Sequence, residues 1–526
     1  MAYHEWARVL RSPPVSMPHL RRLWPAAALL LVYLWVFPYF PSLRSANELP
    51  RVLLTQEIAR HGSFRLDARL GELGSRFDIA TTPEGHSFSN KAPGVSLLGV
   101  PVQLALDALG ATSLRASTWA LRVLVVLLPC VAFLCFFWRL SPRFAGEGEP
   151  GERGRRAALV ALALGSMALP YAMLFFSHAL AGACAGGAFV AAVRIVRGEA
   201  RRAWLAALAC GFLAGASMLV DYQSLLAAAA VGAYLLALAP RRWWHVGLAT
   251  LGALPPLVLL LAYHAACFGS ALKTGYSFAA DPAHQQGVLG IIGPNRVAMA
   301  NALIAPDNGL IVLAPWVLVA VLGVVVVARD RVARARVGAE TLVCAVVALA
   351  YLLFVSSLVP EFGRAGWSVG PRYIGVAMPF FAWLAAAGFA WCDARPAPRA
   401  LAGALLVVGV VIHVVAATTY PHWPTSLRHP LYEVSFRALR EGLAPPSLGG
   451  ALGLHGVWAL LPAYVAAAAL VVWALGVVPP RRLATTAAAC ALAALVIVGY
   501  GRLPRSGAAG ERPWSYVKGS FSASTP

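Results

Sequence analysis

The chain has 526 residues, of which 59% are hydrophobic and 12% are charged, and its mean hydropathy is +0.69. Because soluble domains carry about 25% charged residues, this composition excludes an ordinary soluble domain. The 43 Lys and Arg outnumber the 22 Asp and Glu and give a net charge of +21. These arginines stand in short clusters between apolar runs, which indicates membrane topology and speaks against a nucleic-acid partner.

Apolar runs long enough to cross a membrane recur along the chain, and the first covers residues 24–40. We predict an all-α polytopic membrane protein with about 13 transmembrane helices in a single domain, residues 1–500. The predicted spans are 24–41, 118–138, 157–176, 178–196, 203–220, 222–239, 243–264, 309–328, 340–358, 372–392, 400–417, 456–477 and 483–500.

Basic clusters predict the orientation. The N-terminus carries Arg8, Arg11, Arg21 and Arg22 against Glu5 alone, so it is predicted to be cytoplasmic. Further basic clusters follow at 139–156, 194–202, 241–242, 329–336, 395–399 and 481–482. All of them face the cytoplasm if the apolar run 92–110 does not cross the membrane, and all face outward if it does.

The run 92–110 is therefore predicted to be an interfacial or re-entrant helix on the outer side. Its Ser96, Gln103 and Asp107 have the spacing of one helix face, and a lipid-exposed aspartate would cost about 3 kcal/mol. Residues 42–116 then form one outer loop, in which 92–110 packs on the membrane. The polar tail 501–526 is predicted to lie outside and to be partly disordered.

The first candidate catalytic residue is Glu48, in "SANELPRVLLTQEIARHGSFRLD", residues 45–67. A carboxylate at a membrane interface can act as the general base on an acceptor hydroxyl. The alternative is a structural role, because Asn47 or Glu48 could cap the helix that follows. Pro50 fits the first turn of that helix.

A second candidate site is "GHSFSNKAPG", residues 85–94, which contains His86, Asn90 and Lys91. At headgroup depth the Lys91 ammonium could bind a lipid phosphate. The alternative is a lysine that lays its stem on apolar surface and extends its charge into water.

A third candidate site is "EFGRAGWSVGPRYIG", residues 361–375, in which Arg372 and Tyr373 open a span from the outer side. An arginine on that side favours a specific anionic partner, unless the two residues only form an interfacial belt pair. Asp221 lies in a tight outer turn, where turn chemistry is the alternative to substrate binding. No metal-binding motif and no nucleotide-binding loop occurs in the sequence, so neither a metal nor another cofactor is predicted.

Taken together, these motifs resemble those of the GT-C superfamily of integral-membrane glycosyltransferases, in particular the family-39 and lipid A aminoarabinose transferase types. The family's acidic pair after the first span appears here as Asn47 and Glu48, so the base implied by the resemblance is Glu48. The family's Lys-Pro-Pro element appears as residues 91–93, with Ala92 in place of a proline. The family's entry to the second span appears as residues 119–122, which end in Arg122.

The resemblance implies a sugar transferase of the bacterial inner membrane, with its active site and C-terminus in the periplasm. The donor would be a polyprenyl-phosphate sugar, and the acceptor a hydroxyl of a lipid, glycan or protein. Transfer would be metal-independent and inverting, and Lys91 and Arg372 would bind the donor phosphate. The alternatives are a transporter or flippase of a lipid-linked glycan, and a membrane scaffold without catalysis.

Overall fold

The computed structural model describes residues 20–36, 45, 47–73, 76–360 and 366–522. The arginines before residue 20 and the end of the first predicted span, residues 37–41, lie outside the described residues. So do residues 361–365, next to the predicted Arg372 site, and residues 523–526 of the tail.

Most of the described chain is helical. Its α-helices are α1 (Leu20–Trp35), α2 (Leu49–His61), α3 (Gly94–Ala108), α4 (Leu114–Leu121), α5 (Leu128–Ala145), α6 (Gly148–Ala163), α7 (Ala168–Ala172), α8 (His178–Val196), α9 (Ala203–Val220), α10 (Leu225–Leu238), α11 (Arg242–Phe268), α12 (Arg296–Ile304), α13 (Leu310–Leu313), α14 (Val317–Arg329), α15 (Arg331–Ser356), α16 (Met378–Asp393), α17 (Pro396–Thr418), α18 (Phe436–Arg440), α19 (Leu448–Ala451), α20 (Leu461–Leu475), α21 (Pro480–Tyr500) and α22 (Glu511–Ser522). Strands β1 (Ile79–Thr81) and β2 (Ser87–Ser89) form an antiparallel hairpin.

The helices account for the membrane character of the chain. In a bilayer every backbone N–H and C=O must be satisfied internally, which helices do by themselves. Within the described ranges, nine helical segments are long and apolar enough to cross a membrane. The all-α, multi-pass class is therefore confirmed. Three further predicted spans correspond to the shorter apolar helices α1, α10 and α14, and the number of thirteen stays a prediction.

The predicted continuous span 157–176 is wrong. Helix α6 ends at Ala163, α7 occupies only Ala168–Ala172, and α8 starts at His178. Gly165 and Pro170 in this stretch both oppose a continuous helix. The irregular backbone is buried in protein, and the indole Nε1 of Trp316 donates a hydrogen bond of 2.6 Å to the Gly165 carbonyl. Such a break is tolerated at membrane depth where neighbouring groups satisfy the backbone.

Helix α3 lies within the predicted interfacial run and packs on α2 through its polar face. The Ser96 hydroxyl donates to the Arg51 carbonyl at 3.0 Å. Asp107 accepts from Gln103 at 2.8 Å, and it pairs with Arg60 through bonds of 3.0 and 2.7 Å. The prediction that the three polar residues share a face is confirmed. The position of α3 on the outer membrane surface stays a prediction.

That position gives a labelling prediction. We expect Glu84→Cys and Thr112→Cys, at exposed positions before and after α3, both to react with a membrane-impermeant maleimide added outside intact cells. The parent chain with its eight native cysteines sets the background labelling. Labelling of only one of the two new thiols would mean that α3 crosses the membrane, and the topology would then be redrawn.

The C-terminal segment contains a helix that packs on the rest of the protein. Helix α22 buries Trp514, Val517 and Phe521 in an apolar cluster with Tyr420 and Trp423. The spacing of three and four residues places these side chains on one helix face. Partial disorder of the tail 501–526 stays a prediction.

Candidate functional site

Glu48 directly precedes α2 and is completely buried. It occupies the N-cap position, but its side chain makes no capping bond, whereas Pro50 does lie in the first turn as predicted. The carboxylate instead forms a bidentate pair with Arg122, with distances of 2.5 Å to Nε and 2.6 Å to Nη2. The Phe175 backbone N–H also donates to it, at 2.7 Å. Each carboxylate oxygen thus accepts at least one hydrogen bond.

Arg122 lies 74 residues after Glu48 in the chain. It begins a π-helical turn, Arg122–Leu127, between α4 and α5. Such turns interrupt regular helix geometry and are frequent at functional sites. The Phe175 N–H comes from the irregular stretch between α7 and α8, where the backbone is free of helical bonding. The site therefore combines three chain segments that sequence periodicity treats separately.

The environment of Glu48 fixes its charge. Burial opposes ionisation, but the Arg122 guanidinium, its hydrogen bonds and the Phe175 N–H together hold the pKa of Glu48 below its usual range. The His422 ring lies nearby, with Nε2 3.9 Å from the carboxylate. Burial lowers the pKa of His422 to about 4. At neutral pH the Glu48 carboxylate is therefore ionised and the imidazole beside it is neutral.

Lys91 belongs to a second buried group. Its ammonium lies 2.8 Å from the Asp78 carboxylate and 5.2 Å from the centre of the Tyr276 ring. The lysine is only 6% exposed, so the alternative of a charge extended into water does not hold. Burial disfavours the charged form of Asp78, but Lys91, Arg372 and Arg51 hold the pKa of this carboxyl below its usual range.

Three cations therefore converge around Asp78. Arg51 and Arg372 are 3% and 8% exposed, and the Nε atom of each is buried without a hydrogen-bond acceptor among the described residues. Arg51 donates from Nη1 to the Asn47 carbonyl at 2.5 Å and from Nη2 to the Ser177 hydroxyl at 3.3 Å. Buried guanidinium N–H groups normally have acceptors, so this group is suited to an anion.

Asp221 does more than close a turn. Its carboxylate lies 2.6 Å from Nδ1 of His178 and accepts from the Ser177 hydroxyl and the Gln223 amide at 3.2 Å each. The His178 ring stands edge-on to the Tyr373 ring, with 5.8 Å between the ring centres. Asp221 thus lies beside the cation group, joined to it through Ser177 and Arg51.

Two predicted residues have other contacts. His86 is partly exposed at the tip of the β-hairpin and lies 3.1 Å from Asp67. Asn90 is buried next to Lys91, but its amide donates to the Phe77 carbonyl at 3.2 Å. The structure brings Lys91, Arg372 and Tyr373 together around Asp78, whereas the ion-pair partner of Glu48 is Arg122.

Sequence reasoning missed Arg51, Asp78, His178 and Tyr276 as site residues. For Arg51 a signal existed, because a residue three positions after Glu48 is one helical turn away from it. Asp78 and Tyr276 lie in different loops, and no local pattern connects them to Lys91. Among the described residues, no three His, Cys, Asp or Glu side chains are placed to hold a metal ion.

Comparisons with known proteins identify similar folds. No protein-family model matches the sequence, and no curated protein matches it at a significant level. ArnT from Cupriavidus metallidurans in the apo state is 15% identical over 91% of this chain and 77% of its own, with a TM-score of 0.48. The arabinosyltransferase EmbB from Mycobacterium smegmatis is 13% identical over 96% and 42%, with a TM-score of 0.45.

The archaeal oligosaccharyltransferase AglB from Archaeoglobus fulgidus, in complex with an inhibitory peptide and a dolichol-phosphate, is 13% identical over 86% of this chain and 56% of its own, with a TM-score of 0.39. The likeness to these three proteins is in the fold alone.

Proposed function

We propose that this protein is a membrane glycosyltransferase that takes its sugar from a polyprenyl-phosphate donor. The observation that carries the proposal is the group of three buried cations, Arg51, Lys91 and Arg372, around Asp78. Among the described residues the other carboxylate near these cations is Asp221, which acts on Arg51. Buried charges are costly unless they are paired. A further anion would balance the remaining positive charge and supply acceptors for the two unpartnered guanidinium N–H atoms.

A phosphate fits this group better than a carboxylate does. It offers several acceptor oxygens, and both arginine and lysine bind it through charge-assisted hydrogen bonds. The surrounding helices have the apolar composition of membrane spans. A phosphate carried on a long isoprenoid chain could reach the cations laterally from the bilayer. The donor class follows from this combination of a buried phosphate site and a lipid environment.

In the proposed reaction Glu48 is the general base. It takes the proton of the acceptor hydroxyl, the hydroxyl oxygen attacks the anomeric carbon, and the bond from that carbon to the phosphate oxygen breaks. One displacement inverts the anomeric configuration. Lys91 and Arg372 offset the charge that develops on the leaving phosphate. Three hydrogen bonds already reach the two oxygens of Glu48, and because a carboxylate has about four acceptor sites, one remains for the hydroxyl.

The basic clusters give the proposed orientation of the protein in the membrane. With the basic clusters in the cytoplasm, the site faces the periplasm of a bacterium and the protein lies in the inner membrane. The acceptor is a lipid, glycan or protein with a free hydroxyl. Mass spectrometry of cell-envelope lipids and glycans with and without the gene tests this directly. Loss of one glycosylated species is expected, and an unchanged envelope profile would contradict a transferase.

A binding measurement tests the donor site. We expect Lys91→Met and Arg372→Gln each to weaken binding of undecaprenyl phosphate to the purified protein at least tenfold. A charge-assisted contact contributes about 1.5–3 kcal/mol, and about 1.4 kcal/mol is a factor of ten. Uncharged undecaprenol should bind all variants alike. A double variant no weaker than the worse single one would mean that both cations act on one phosphate.

Two controls separate binding from folding. Lys91→Met with Asp78→Asn removes both charges of the buried pair, so it should fold normally and still bind the lipid phosphate weakly. Arg60→Gln removes a cation of the same outer segment whose ion pair with Asp107 is partly exposed, and it should bind like the wild type. Normal affinity in both Lys91→Met and Arg372→Gln would overturn the donor-site assignment.

A further inference from the structure

The pair of His178 and Asp221 contains a buried hydrogen-bonding atom without a partner. The ring is 3% exposed, its Nδ1 lies 2.6 Å from Asp221, and its Nε2 is buried with no hydrogen-bond partner among the described residues. The large majority of buried side-chain polar atoms in proteins have a partner. Nε2 therefore marks a place that a ligand group would complete.

The contacts of the ring define what that group must be. Nδ1 lies 2.6 Å from Asp221 and 3.3 Å from the Gln223 amide nitrogen. Because the carboxylate contact is much the shorter and a carboxylate only accepts hydrogen bonds, we assign the proton to Nδ1. In the neutral ring Nε2 is then an acceptor, and its natural partner is a hydroxyl. A protonated ring would be a fourth buried cation beside Arg51, Lys91 and Arg372, which like-charge repulsion disfavours.

The position of the ring relates it to the proposed phosphate site. Ser177 joins Asp221 to Arg51 through contacts of 3.2 and 3.3 Å. On the other side the ring meets Tyr373, whose own ring lies 5.3 Å from the Arg372 guanidinium carbon. The His178 ring is therefore linked to Arg51 through Asp221 and Ser177, and to Arg372 through Tyr373. In a lipid-phosphate sugar, the ring hydroxyls also lie next to the phosphate.

We propose that His178, oriented by Asp221, is a sugar-recognition residue that accepts a hydrogen bond from a hydroxyl of the donor's sugar. This rests on the proposed function and deepens it, because it assigns the selection of a sugar-loaded lipid over the bare carrier lipid. His178 contacts the substrate in this scheme, and Asp221 is a positioning residue that fixes the ring tautomer. Glu48 keeps its role on the acceptor.

The test compares two probes on the purified full-length protein: undecaprenyl phosphate, and undecaprenyl-phosphate sugars from a panel of a hexose, a pentose and an aminosugar. We expect at least one panel member to bind the wild type more tightly than undecaprenyl phosphate does. His178→Phe should weaken that lipid-linked sugar about tenfold, as expected for one lost hydrogen bond, and leave undecaprenyl phosphate unchanged. His178→Gln, which keeps an acceptor, should recover part of the loss.

The outcomes distinguish a sugar-binding role of His178 from a role in phosphate binding and from no role in binding. Equal weakening of both probes by His178→Phe would make His178 part of the phosphate site and overturn the sugar assignment. No change in either probe, or no sugar preference in the wild type, would also overturn it. If His178→Phe does not fold, His178→Gln against a deoxy-sugar series still tests the hydrogen bond. Failure of the wild type to bind either probe would instead contradict the proposed function.

Discussion

Replacement of Arg122 by methionine is expected to destabilise the folded protein by about 3–5 kcal/mol. The guanidinium is the bidentate partner of the Glu48 carboxylate, and both side chains are buried. Methionine keeps much of the stem volume but leaves Glu48 as an unpaired buried charge. The measurement is the thermal or denaturant unfolding of the purified protein in detergent, compared with the wild type.

Two further variants test whether the unpaired charge of Glu48 causes the loss of stability. Glu48→Gln together with Arg122→Met removes both charges and keeps an acceptor for the Phe175 N–H, so most of the lost stability should return. Arg60→Met breaks the partly exposed pair with Asp107, where the expected cost is below about 1 kcal/mol. An Arg122→Met variant as stable as Arg60→Met would show that the buried pair contributes little.

The same double variant is expected to lose sugar transfer by about 10²–10⁴-fold, the usual effect of removing a general base. Because its fold is restored, the loss cannot be attributed to unfolding. Binding of undecaprenyl phosphate should stay near the wild-type value, since Lys91, Arg372 and Arg51 are unchanged. Turnover is measured as transfer from an undecaprenyl-phosphate sugar per folded molecule.

A second buried ion pair provides the matched control. Glu340 is fully buried and bidentate with Arg197, at 2.6 Å for each bond, and also accepts from Tyr234. Glu340→Gln with Arg197→Met alters the same chemistry away from the proposed site, so transfer per folded molecule should stay normal. Near-normal turnover in the Glu48 and Arg122 double variant as well would exclude Glu48 as the base and leave the pair a structural role.

The sequence predicted the class of fold because hydropathy acts locally. Each apolar run forms a helix, since only a helix satisfies its own backbone in a bilayer. The break between α6 and α7 at Gly165 was missed, because the run 157–176 remains apolar throughout. Average hydropathy over a window of residues does not show that the Gly165 carbonyl accepts its hydrogen bond from the Trp316 indole.

For the candidate site the sequence identified single residues but not their partners. Glu48, Lys91 and Arg372 stood out because charges next to apolar runs are costly. Helix periodicity also placed the polar residues of α3 on one face. The bidentate pairing of Glu48 with Arg122, 74 residues away, had no local signal.

The sequence by itself thus determined an all-helical membrane protein and several of the charges at its proposed site. Only the tertiary structure decided which charges meet: Glu48 with Arg122, Lys91 with Asp78, and His178 with Asp221. The physical reason is distance. Helix formation depends on neighbours within a few residues, whereas an ion pair depends on atoms a few ångströms apart in space, and packing of remote segments alone sets that separation.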